Sequence, residues 1–280
     1  MLRKGLAIAA LGLALMGGPA LAAGKQEEPR TVAWSFNGPF GKFDRAQLQR
    51  GFKVYREVCA ACHSMNLMSF RNLGQAGGPF HDPKYPNPND NPYVKTIAKD
   101  FETSEIDQET GDIVKRPATP ADRFPNPYPN EAAARAGNGG ALPPDFSTLS
   151  KARAGGADYI YSLLSGYSAP PAGLEVPSGQ YYNPYMLGDV SAFWKGKGHA
   201  PPGGFIAMPP PLAADKVTFD DDTKSTIDQQ ARDVAAFLTW ASEPKMEERK
   251  AFGVGAMIYL LIFAGLLYMS YKRIWRNVAH

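Results

Sequence analysis

From Ala251 to Tyr271 the chain runs 21 residues without a charge. At about 1.5 Å of rise per residue, a helix of that length reaches roughly 31 Å, the hydrocarbon thickness of a bilayer. Lys250 and Lys272 bracket the run, and Tyr268, Tyr271 and Trp275 suit its far interface. A helix in a soluble core keeps a polar stripe, whereas this one is apolar all round, so it reads as a membrane span. A second apolar run lies near the start. Arg3 and Lys4 precede Gly5 to Met16, and Ala20-Leu21-Ala22 supplies a small-x-small cleavage pattern. Residues 1–22 therefore read as a cleaved secretory signal, cut after Ala22 or Ala23.

Lys245, Arg249 and Lys250 on one side of the span balance Lys272, Arg273 and Arg276 on the other, so orientation follows from the signal rather than from flanking charge. The expected layout is an exported domain over 24–250, a single-pass anchor over 251–271 and a cytoplasmic tail over 272–280. In a bacterium that places the domain in the periplasm, on the inner membrane. Between Gly24 and Lys250 there are 25 Lys+Arg against 27 Asp+Glu, a net charge of −2, which excludes a nucleic-acid binder. A hydrophobic content of 44% excludes wholesale disorder, and two Cys exclude a disulfide-stapled scaffold. With 25 Pro and 28 Gly, much of the domain should be irregular loop.

Three helices are signalled within the domain. Asp44 can cap the first, Gln47 completes a capping-box pattern, and Phe43 can staple to Leu48. Leu48, Phe52, Tyr55 and Val58 then recur at helical spacing and lead into Cys59. A short helix is expected over Ala157 to Leu164. Another starts near Ser225, with Ile227, Ala231, Val234, Leu238 and Ala241 on one face, and stops before Pro244. Ten prolines fall between Pro79 and Pro129, which argues against regular structure for most of that stretch. Asp100 to Asp112, inside it, holds six acidic residues. No strand-rich run is evident.

Cys59-Ala60-Ala61-Cys62-His63 carries the chemistry. C-x-x-C-H is the attachment pattern for c-type haem: two thiols reach the macrocycle edge and the adjacent His lies under the iron. A thioredoxin-type dithiol would want a βαβ context, a zinc site would want more Cys, and an inert disulfide leaves His63 unexplained. A thioether on the opposite haem face would raise the potential. Met65 and Met68 follow His63 too closely to reach across, Met246 borders the membrane, and Met257 and Met269 lie in the span. Met186 and Met208 remain, and Met208 is favoured because Pro209-Pro210-Pro211 stiffen its loop. His81 and His199 sit in Gly/Pro-rich loops and read as solvated.

The order of elements resembles a class I cytochrome c, giving a mainly α haem domain with long Pro/Gly-rich loops plus one C-terminal transmembrane helix. In more detail the chain resembles the cytochrome c1 family, haem subunits of quinol–cytochrome c reductase (bc1) complexes. The resemblance is carried by Arg50-Gly51-Phe52-Lys53-Val54-Tyr55, by Asn126-Pro127-Tyr128-Pro129-Asn130-Glu131 and by Gly140-Ala141-Leu142-Pro143-Pro144-Asp145. Lys151-Ala152-Arg153-Ala154-Gly155-Gly156, Leu163-Leu164-Ser165-Gly166-Tyr167, Met208-Pro209-Pro210-Pro211-Leu212 and the Trp240-Ala241 and Glu243-Pro244 pairs follow in order. The resemblance implies one covalent haem c on Cys59 and Cys62, with His63 and Met208 on the iron. It also implies a pocket of Asn138, Ala141, Pro143, Pro144, Leu149, Arg153, Tyr159, Leu163, Leu164 and Ile206. Arg153 suits a haem propionate, since its planar fork binds carboxylates.

Two departures stand out. The extra Cys pair of some bacterial members is missing, and Val190 to Gly204 is a Gly/Pro-rich stretch that mitochondrial members lack. The implied function is a one-electron relay from the Rieske iron–sulfur protein to a soluble c-type cytochrome, beside cytochrome b in a dimeric complex, with no substrate bond remade by this chain. The acidic run is expected to steer a basic cytochrome. The competing readings are a stand-alone anchored cytochrome feeding an oxidase or reaction centre, and a haem-based ligand sensor.

Overall fold

The structure is a computed structural model and describes residues 25–277; the signal expected over 1–22 lies outside the described residues. The described residues divide into two compact units, 29–165 with 207–277, and 25–28 with 166–206.

In the larger unit α1 spans Arg45–Val54. Asp44 caps it, its carboxylate accepting from the Gln47 N–H at 3.2 Å. The expected capping box forms only by half, because the Gln47 amide reaches Asp233 Oδ1 at 3.2 Å instead of turning back. Phe43 and Leu48 are both buried in one core, as a staple requires. Past Val54 the helix widens into a π-helical turn over Tyr55–Cys59, closed by Ala60 N–H on the Tyr55 carbonyl at 2.8 Å. Such widened turns collect at functional sites.

Prolines bracket the regular elements of the Pro-rich stretch instead of interrupting them, since none lies between Pro92 and Pro117. Helix α2, Pro92–Lys99, has Pro92 in its first turn, where no N–H partner is lost, and Asn91 caps it through Tyr93 N–H at 3.0 Å. Strands β1, Glu102–Ile106, and β2, Ile113–Pro117, pair antiparallel from Glu102↔Pro117 to Ile106↔Ile113. The acidic run is thus one strand and the turn of a hairpin. Asp100 pairs with Arg56 at 3.0 Å, Glu102 with Lys115 at 3.3 Å, and Glu105 with Arg116. The other carboxylates of the run, Asp107, Glu109 and Asp112, gather at the turn. There Asp107 accepts from the N–H groups of Glu109 and Thr110, which hold it below the usual carboxylate range.

Helix α3 is the short Glu131–Gly137, capped by Asn130, and α4 is Gly156–Ser165, one residue longer at each end than expected. In the smaller unit β3, Tyr181–Asn183, pairs antiparallel with β4, Gly204–Ile206, over a small core of Leu174, Tyr182 and Val190. The Val190–Gly204 stretch folds against this core through Trp194, which bridges to Leu174.

Back in the larger unit α5, Ile227–Ser242, is capped by Thr226 and ends before Pro244 as expected. Its burial runs right round because α1 and α4 both pack on it. The α1–α5 crossing is closest at Gly51, where an added Cβ would lie 2.1 Å from the Asp233 carbonyl oxygen. Phe237 meets Phe52 and Tyr55 there, with ring centroids 5.6 and 5.7 Å away. Each such ring contributes about 2 kcal/mol by burial. Helix α6 runs unbroken over Met246–Ile274, and no residue of the apolar run is buried. It is long and apolar enough to cross a membrane.

Candidate haem site

The site grows out of the end of α1. After the π-turn, Cys62 N–H and His63 N–H both return to the Cys59 carbonyl, at 3.1 and 2.9 Å, so the motif closes into a compact turn. Cys59 and Cys62 are half-buried free thiols. Burial pushes the Cys59 thiol up to about 12, with Lys216 pulling the other way.

His63 is buried and stacks on Phe146 with ring centroids 4.1 Å apart. Its Nδ1 lies 2.9 Å from the Pro144 carbonyl, which can only accept, so Nδ1 carries the proton and Nε2 the lone pair. Burial lowers the affinity of the ring for a second proton, and the bond to Pro144 opposes this only in part.

A clamp holds that carbonyl in place. Asp145 accepts from Ser64 Oγ, Asn66 N–H and Ser147 N–H, each at 2.8 Å, and Ser147 Oγ accepts from Leu67 N–H at 2.9 Å. Burial works against the Asp145 charge, but these donors outweigh it and keep its carboxyl below the usual range. Phe146, Asp145, Ser64 and Ser147 were invisible to spacing arguments, although Asp145 closes one of the segments quoted above. Tyr128 also enters, its hydroxyl 4.0 Å from Cys62 Sγ.

The expected pocket positions fall as follows. Asn138 ends α3 and donates to the Ala134 carbonyl at 2.7 Å, and Ala141 N–H returns to the Asn138 carbonyl at 3.1 Å. Pro143 is half-buried and Pro144 serves through its carbonyl. Leu149, Leu163 and Leu164 are half-buried and pack on the main core, as do Val58 and Ala60 beside the thiols. Tyr159 is buried on α4, and burial raises its hydroxyl against the nearby charge of Arg153. Arg153 is exposed, its guanidinium donating to the Ala152 carbonyl at 3.1 Å. Met208 is half-buried and belongs to the larger unit, while Met186 and Ile206 belong to the smaller one.

Two half-buried thiols in one turn, an imidazole with its lone pair fixed on Nε2, and a set of half-exposed apolar side chains are what a covalently held haem requires, and the residues fit it.

The Cytochrome C1 family model matches residues 34–278. The chain is 39% identical over 98% of its length to cytochrome b/c1 of Bradyrhizobium diazoefficiens, spanning 41% of that protein. It is also 39% identical to cytochrome c1 of Rhodospirillum rubrum, covering 98% of this chain and 97% of the relative. With the mitochondrial cytochrome c1 heme protein of Saccharomyces cerevisiae it shares 46% over 81% of this chain and 66% of that one. A neutral, clamped histidine behind paired thiols, in a sequence matched from Trp34 almost to its end, has one explanation: the chain belongs to the cytochrome c1 family, whose members carry one covalently bound haem c.

Proposed function

We propose that this chain is the haem-carrying electron-transfer subunit of a bc1 complex, relaying single electrons from the Rieske iron–sulfur protein to a soluble c-type cytochrome. Cytochrome b is its membrane partner, and the complex is dimeric. The anchor places the domain on the periplasmic face of a bacterial inner membrane. The observation that carries the reading is the His63–Pro144 bond, which presents Nε2 as a ligand nitrogen at the end of the attachment motif.

When bound, the haem supplies a reversible one-electron iron couple. The chain's own residues do the rest. Cys59 and Cys62 would hold the macrocycle through thioethers, and His63 and Met208 would ligate the iron. Arg153 would take a propionate, and the apolar pocket residues would keep water out. No substrate bond is made or broken by this chain. The hairpin turn with Asp107, Glu109 and Asp112 supplies the steering charge, because the carboxylates nearer its base are already matched by Arg56, Lys115 and Arg116.

A reduced-minus-oxidised spectrum of the tagged chain, purified in mild detergent from its own membrane, tests the assignment. Signals of c-type and b-type haem in a fixed ratio are expected. A c-type signal alone from an intact preparation would move the chain to a stand-alone anchored cytochrome, and strong carbon monoxide binding to the reduced form would make it a sensor with an open sixth site.

A further inference from the structure

We propose that the loop Phe36–Gly41 is a second membrane contact, with Phe40 seated in the headgroup–acyl boundary beside the root of the anchor helix. The loop is a closed excursion, with Lys42 N–H on the Ser35 carbonyl at 3.0 Å. Its two feet are core residues: Phe36 and Phe43 are each 6% exposed, with ring centroids 4.8 Å apart. Between them Phe40 is 77% exposed. The tip, Asn37-Gly38-Pro39-Phe40-Gly41, carries no charge.

The depth of this loop is fixed by α6. Glu247 Oε1 accepts from Phe43 N–H at 3.0 Å, and Arg45 adds an ion pair to the same carboxylate at 3.2 Å. One turn further along, Lys250 Nζ donates to the carbonyls of Phe36 at 2.5 Å and Gly41 at 3.3 Å. Lys250 is the last charge before the 21-residue uncharged run. Along the helix, then, the base of the loop meets residue 247 and its shoulders meet residue 250, about 4.5 Å nearer the bilayer. Beyond Lys250 the helix enters its uncharged run at Ala251 to Val254, where Phe252 is itself 79% exposed. An uncharged tip with one outward aromatic ring at that depth fits lipid. A protein partner's polar rim would offer it no complementary charge.

The chain's two Cys lie in the haem motif, so Phe40→Cys gives a single thiol for a nitroxide label in the full-length, haem-loaded chain. Labels at Met257→Cys in the span and Glu109→Cys on the hairpin turn serve as references, all in nanodiscs of phosphatidylcholine and phosphatidylglycerol. An unchanged haem spectrum checks the fold. Power saturation should show the residue-40 label following residue 257, with collisions favouring oxygen over a polar nickel chelate. A label behaving like residue 109 would overturn the proposal, and so would one shielded from both reagents, which marks burial under protein. If residue 257 itself were open to the chelate, the membrane span would be at fault, not the loop.

Discussion

Replacing Gly51 by Ala tests whether α1 and α5 meet backbone to backbone. The new Cβ would sit 2.1 Å from the Asp233 carbonyl oxygen and 2.7 Å from both the Asp233 carbonyl carbon and Phe237 Cβ. Ordinary contact begins near 3.4 Å, so α1 must lift by about 1.3 Å. The obstacle is main chain, which no rotamer change relieves, so overpacking should reach about 3 kcal/mol. Ala is about 1 kcal/mol better than Gly inside a helix, leaving a net loss of about 2 kcal/mol. For a domain of this size that is a fall of about 4–8 °C in Tm. Circular dichroism melts of the haem-loaded chain in detergent read it directly. The Soret band should broaden as well, because the lifted helix runs straight into the Cys59 turn. A Tm at or above that of the parent would refute the close crossing.

Met208→Leu should lose the low-spin His/Met spectrum and drop the midpoint potential, whereas Met186→Leu should keep both; the reverse pattern would reassign the axial ligand. Asp233 is fully buried and accepts from Arg50 Nε at 2.8 Å, Gln229 Nε2 at 2.8 Å and Gln47 Nε2 at 3.2 Å. Arg50→Met strands that carboxylate and should cost about 3–5 kcal/mol at neutral pH. Burial already pushes the Asp233 carboxyl up, so the variant should regain stability as pH falls toward its raised folded value, and a flat urea midpoint would contradict this. Asp122 behaves in the opposite sense: Arg116 and the Thr119 N–H hold it well below the usual carboxylate range. Its stabilisation is complete above its unfolded value near pH ~4 and fades at lower pH, so the gap between parent and Asp122→Asn should narrow on acidification. A gap independent of pH would remove Asp122 from the acid limb.

Local chemistry made the helix starts legible. Asp44, with helical spacing from Leu48 onward, placed α1, and the apolar face from Ile227 with Pro244 beyond it placed α5. What spacing could not show is where a side chain goes once a partner from a distant segment competes for it, as Asp233 does for Gln47. The π-turn at Tyr55–Cys59 leaves no mark in the sequence, because it depends on how the following turn is anchored. Helix α2 and the hairpin were obscured by counting prolines without asking where they stand: Pro92 opens a helix and Pro117 ends a strand. In the site, the C-x-x-C-H residues are self-announcing. The clamp on His63 joins segments about 80 residues apart, and only the fold reveals that Asp145 and Ser147 serve it.

The root of the anchor has a mechanical meaning. Glu247 and Lys250 grip both ends of the Phe36–Phe43 segment, and Met246 is buried in the main core. A helix fastened at several points over its first turn cannot act as a free swivel. The larger unit and its span move as one stiff mast, so the haem site keeps a constant height and heading above the bilayer. On the proposed relay, any change in electron-transfer distance falls to the partners and not to this chain.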